Sequence, residues 1–110
     1  MDSSRLALGL LATALAVVPA LAQSRSASER RGEALLAKNC ARCHATGRVG
    51  TSPHPEAPLF RRLSHKYSIE GLAEALAEGL SVGHPDMPEF VFEPYEVRAI
   101  LDYLQSIQER

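Results

Sequence analysis

With 110 residues and a formal net charge of −1, the chain has room for one domain and exerts no global pull toward nucleic acid or an anionic membrane. No stretch after residue 22 is long and apolar enough to span a bilayer, and no internal repeat or nucleotide-binding glycine loop is present.

The first segment reads as an export leader rather than as fold. Met1 to Arg5 carries one positive charge. Leu6 to Leu21 is almost wholly apolar, broken by Gly9, Thr13 and Pro19, and Ala20-Leu21-Ala22 puts small residues where a signal peptidase reads. The expected division is a signal peptide over 1–22 and one domain over 23–110, with the mature protein exported to the periplasm. An uncleaved membrane anchor is the alternative. It is disfavoured because the apolar run is shorter than the roughly 20 residues a spanning helix needs. The 88 residues left after Ala22 fold around a small core.

Residues 24–28 form a polar lead-in, and Ser28 is placed to cap a helix over Glu29 to Ala41. Gly32, Leu36 and Cys40 fall four apart on one face of it. The only two cysteines follow in Cys40-Ala41-Arg42-Cys43-His44. A disulfide across two residues closes a tiny loop and restrains little of the unfolded chain. A thioredoxin-like pair needs a βαβ context, and a zinc site needs further ligands at matching spacing. The remaining reading is covalent attachment of one haem c, for which C-x-x-C-H is the signature. Each thiol adds to one of two vinyl groups on the same porphyrin edge, and the adjacent His44 offers a neutral imidazole to the iron.

Residues 46–58 hold Gly47, Gly50, Pro53, Pro55 and Pro58 and read as a loop. A short helix is expected over Pro58 to His65. Ser68 is placed to cap a second one from Ile69 to about Gly79, with Ile69, Leu72, Leu76 and Leu80 at helical spacing. Ser81 to Phe92 reads as a loop around Met87, the only methionine after the leader. Pro85 and Pro88 exclude a continuing helix there and stiffen the loop before any metal binds. A thioether so held suits the second axial position, and Met/His ligation raises a haem potential. His84 is the rival ligand, while His54 and His65 read as ordinary surface or satisfied polar residues. Pro94 then opens a final helix with Val97, Ile100, Leu101, Leu104 and Ile107 as its apolar stripe. No strand-like alternation is sustained. The fold class is therefore all-α, with about three main helices and short helical turns around one haem. Charge is uneven along the chain. Residues 23–66 hold nine Lys/Arg against three Glu, and residues 67–110 hold two Arg against nine Asp/Glu.

In its order of parts and in Cys40-Ala41-Arg42-Cys43-His44, the chain resembles a class I monohaem c-type cytochrome over nearly the whole mature length. Gly32, eight residues before Cys40, holds the family's glycine position. Leu36 stands where the family usually has an aromatic, Tyr103-Leu104 matches its C-terminal aromatic-aliphatic pair, and Met87-Pro88 matches its distal-ligand motif. The resemblance implies a small cytochrome c fold and a proline carbonyl that accepts a hydrogen bond from the proximal histidine. Pro58 is the candidate, with Pro53 and Pro55 as substitutes. It also implies haem-propionate partners, for which Arg48, Arg61, Arg62 and Tyr67 are candidates in the absence of any Trp. The implied activity is electron transfer as a carrier, not an enzyme, by a monomer serving a dehydrogenase or an oxidase/reductase complex. The alternatives are a subunit of a larger oxidoreductase, or a sensor or peroxidase with a displaceable distal ligand.

Overall fold

The computed structural model describes residue 7 and residues 9–16, 25–79 and 85–110. Among these the chain is helical without a strand. Helix α1 spans Ala27–Asn39, α2 spans Ala73–Glu78 and α3 spans Pro94–Ile107, with 3-10 turns at Phe60–His65 and Glu70–Leu72. The all-α expectation therefore holds.

Helix α1 starts two residues earlier than its spacing predicted, because Ser26 rather than Ser28 is its cap. Ser26 Oγ accepts the Glu29 N–H at 3.0 Å. Ser28 is instead taken by α3, where its hydroxyl donates to Asp102 Oδ2 at 2.6 Å. Glu29 in the first turn and Lys38 in the last both complement the helix dipole. The helix ends at Asn39, not Ala41, as Asn39 Nδ2 bonds back to the Leu35 carbonyl at 2.8 Å and Cys40 leaves helical geometry with φ −124°. The expected helix from Ile69 to Gly79 is split. Gly71 N–H and Leu72 N–H bond to Ser68 and Ile69 carbonyls at 3.0 Å in tight i→i+3 turns, and only Ala73–Glu78 is α-helical. Gly79 ends α2 at φ 110°, a conformation that excludes most side chains. Leu80 and His84, both named from the sequence, lie outside the described residues.

Helix α3 begins where Pro94 predicted, with Glu93 N–H donating to Glu96 Oε2 at 3.0 Å. All five residues of its expected stripe are buried, together with Ala99 and Tyr103. That face packs across α1 on Gly32 and Leu36 and closes over Phe60, Ile69 and Phe92. The crossing is tight. A Cβ on Gly32 would sit 2.6 Å from the Ala99 carbonyl carbon and 2.8 Å from Tyr103 Cβ, so only hydrogen fits between the two backbones. Around the crossing, Arg98 bridges Asp102 and Glu70, with both contacts at 2.9 Å, tying α3 to the Glu70–Leu72 turn.

The C-terminal end of α3 gathers the arginines proposed from the sequence for haem propionates. Arg48 Nη2 donates to the Ser106 carbonyl at 2.7 Å, and Arg61 Nη1 donates to the Gly50 carbonyl at 2.8 Å. Arg61 and Arg62 each reach Glu109 at 3.0 Å. The guanidinium groups of all three arginines hold backbone carbonyls or the Glu109 carboxylate within the fold. Tyr67 remains half exposed. Leu10, Leu11 and Leu15 are 88% or more exposed, and no helix among the described residues is long and apolar enough to cross a membrane.

Two outcomes follow. Gly32→Ala is expected to destabilise the protein by about 1–3 kcal/mol through overpacking, read as a lower denaturant midpoint. Gly47→Ala, with open space around the new carbon, lacks that clash and serves as its control. The Arg62 hydrogen bond, aided by Arg61, holds the Glu109 carboxyl below its ordinary 4.5. A depressed folded value stabilises above the unfolded value and is lost as pH falls through the folded one. Glu109→Gln should therefore lower stability at neutral pH, and the gap to wild type should close in acid, as followed by thermal unfolding across pH 2–7.

Candidate haem-attachment site

The Cys40–His44 segment is a single turn hung from the end of α1. Cys40 N–H still bonds to the Leu36 carbonyl at 2.8 Å, and the Cys40 carbonyl accepts from Cys43 N–H at 3.2 Å and His44 N–H at 2.9 Å. This turn puts both sulfurs and the imidazole on one short stretch whose direction α1 sets. The following loop fastens to it at three points. His54 N–H donates to the Cys43 carbonyl at 3.1 Å, Ala45 N–H to Ser52 Oγ at 3.0 Å, and Phe60 N–H to the Ala45 carbonyl at 3.1 Å.

Both thiols are free and half-buried. Burial, with Cys43 alongside, pushes the Cys40 thiol up to about 11. Among the described residues no strand supports a thioredoxin-like reading, and no group of three or more His, Cys, Asp and Glu is placed to hold a metal ion. Addition of S–H across a vinyl C=C, by contrast, needs no oxidant and expels no leaving group.

His44 Nδ1 lies 2.8 Å from the Pro58 carbonyl oxygen. A carbonyl only accepts, so Nδ1 carries the proton and Nε2 keeps its lone pair. Nε2 makes no hydrogen bond among the described residues. The structure thus brings together Cys40, Cys43, His44 and Pro58. Pro53 and Pro55 do not meet His44 but flank His54. The ring of the buried Phe60 lies against the imidazole, with centroids 4.6 Å apart and planes tilted by 35°. Sequence reasoning missed that contact. An aromatic two residues after the candidate proline was its one available signal.

Met87 is half-buried in the turn that follows Pro85. Its loop is braced at two places. The Glu89 side chain lies over Gly79, and Phe92 N–H bonds to the Leu76 carbonyl at 2.9 Å. His54 Nε2 reaches Asp86, the residue before Met87, at 3.5 Å. His65 is occupied elsewhere, with Nε2 3.1 Å from the Glu109 carbonyl.

The donor set fits a covalently attached haem. Two thiols that are not bonded to each other stand beside an imidazole whose outward nitrogen is unprotonated, with a soft thioether on a separate stiffened loop. The family model described as cytochrome c oxidase, cbb3-type, subunit III matches residues 27–104, from the first residue of α1 to Leu104 near the end of α3. No curated protein and no solved structure gives a significant match.

Phe60 is the test of this packing. Phe60→Ala should lower stability by about 3–5 kcal/mol, since it removes the ring from both His44 and the core, whereas Phe60→Leu should retain most of it. Denaturant midpoints of the pigmented protein decide the comparison.

Proposed function

The chain belongs to the c-type cytochrome family described as cytochrome c oxidase, cbb3-type, subunit III, and on that footing we propose that it carries single electrons through one haem c held by Cys40 and Cys43, with His44 and Met87 as axial ligands. Covalent haem c is the family's cofactor, and electron transfer is what such domains do. The observation that carries the residue assignment is the 2.8 Å contact from His44 Nδ1 to the Pro58 carbonyl. It fixes the tautomer that presents Nε2 and raises the basicity of that nitrogen.

When bound, haem c supplies a reversible one-electron iron couple. The chain's own residues set its conditions. Cys40 and Cys43 fix the porphyrin to the end of α1. Phe60 packs its ring against the His44 imidazole and helps to hold its plane. Met87 would supply the second ligand to the iron, leaving no open position for oxygen or peroxide, which favours a carrier over an enzyme. A thioether ligand and apolar surroundings both favour the reduced state and raise the potential. Lys38 and Arg42 are exposed beside the cysteines, where they would steer an acidic redox partner toward the attached porphyrin.

The family description favours a second form of the same chemistry, in which this domain is the haem-bearing subunit of a larger oxidase complex. In either form the domain works outside the cytoplasm, after cleavage following Ala22. The exposed leucines of the leader agree with a segment that is no part of the fold.

Met87→Ala tests the distal assignment. The ferric sulfur–iron charge-transfer band should disappear, the reduction potential should fall, and the reduced protein should bind carbon monoxide. A variant that keeps the band would assign the distal position elsewhere, with His84 the next residue to replace.

A further inference from the structure

The loop carrying Met87 meets the haem-motif side of the domain through a side-chain pair that the reading above leaves unused. His54 Nε2 lies 3.5 Å from Asp86 Oδ2, with side chains 30% and 69% exposed. His54 is anchored at its other polar groups as well. Its N–H donates to the Cys43 carbonyl at 3.1 Å, its carbonyl accepts the Ala57 N–H at 3.0 Å, and its Nδ1 accepts the Glu56 N–H at 3.3 Å. Because Nδ1 accepts the Glu56 N–H, the ring proton sits on Nε2 and faces the Asp86 carboxylate. Prolines restrict both partners, with Pro53 and Pro55 around His54, and Pro85 and Pro88 around Asp86-Met87.

We propose that His54 is a positioning residue for the distal ligand, a strut that reaches from the Cys43 carbonyl to Asp86 and holds the Met87 loop closed. The proposal rests on Met87 being that ligand. Its logic is a chain of short connections. The turn that carries the sulfurs fixes the His54 backbone, the Glu56 amide fixes the ring, and the ring restrains the residue next to the thioether. Were the Met87 sulfur to leave a bound iron, Asp86 would move with it, because the proline-flanked pair has little freedom to move separately. Losing the strut therefore raises the open fraction. A partly exposed contact of this length changes that fraction by about two- to five-fold rather than by orders of magnitude.

The experiment titrates the ferric holoprotein with imidazole and follows the sulfur–iron charge-transfer band. His54→Ala and Asp86→Ala should each raise the apparent imidazole affinity about two- to five-fold, and the double variant no further than either single one. His54→Gln, which keeps an acceptor and a donor on one side chain, should recover part of the wild-type value. Unchanged imidazole affinity in both single variants, or a double variant equal to the product of the singles, overturns the strut. So does a lowered unfolding midpoint with an unchanged imidazole titration, the mark of a role confined to the His54 loop. If the wild type itself shows no sulfur–iron band, the Met87 assignment fails and the strut with it. A wild-type band with indifferent variants sinks the strut alone.

Discussion

The close approach of two backbones at Gly32 and Ala99 is the constraint from which the site follows. It sets how α1 lies on α3, and the Cys40–His44 turn is a direct continuation of α1 through the Cys40 N–H bond to Leu36. The position of both sulfurs and the imidazole is therefore fixed by helix packing rather than by the loop that follows. The loop's part is different. Through Ser52, His54, Pro58 and Phe60 it fastens to the turn and orients one ring. Precision thus comes from an interhelical contact, and chemical tuning comes from a proline carbonyl and an aromatic face.

Local signals with a unique physical meaning were legible in the sequence. Cys40-Ala41-Arg42-Cys43-His44, the proline opening α3 and the period of its apolar stripe each admit few alternatives. The stripe from Val97 to Ile107 is buried as its spacing required. Interactions between residues far apart in the chain were not legible. Ser28 and Ser26 are equivalent caps until Asp102 claims one of them, 74 positions away. Arg48, Arg61 and Arg62 carry no mark saying that the Ser106 and Gly50 carbonyls and Glu109 will engage them. The split of the helix after Ser68 is of the same kind, since it depends on whether the chain near Gly71 forms i→i+3 or i→i+4 bonds.

Those arginines also change the electrostatic picture. The linear sequence divides into a basic and an acidic half, yet folding pairs the two across the structure, with Arg61 and Arg62 on Glu109. The basic character left beside the cysteines comes from Lys38 and Arg42, a smaller field than the sequence count implies. Any steering of a partner is correspondingly local, and screened within about 10 Å at moderate salt.

Everything functional rests on a tetrapyrrole joined through carbon–sulfur bonds to this polypeptide. The direct measurement is acid-acetone extraction of protein secreted by a host competent in haem attachment, followed by intact mass. Colour retained in the precipitate, with a mass one haem above that of the polypeptide, is the expected result. Colour released into the solvent, or a polypeptide at its bare mass, contradicts the account.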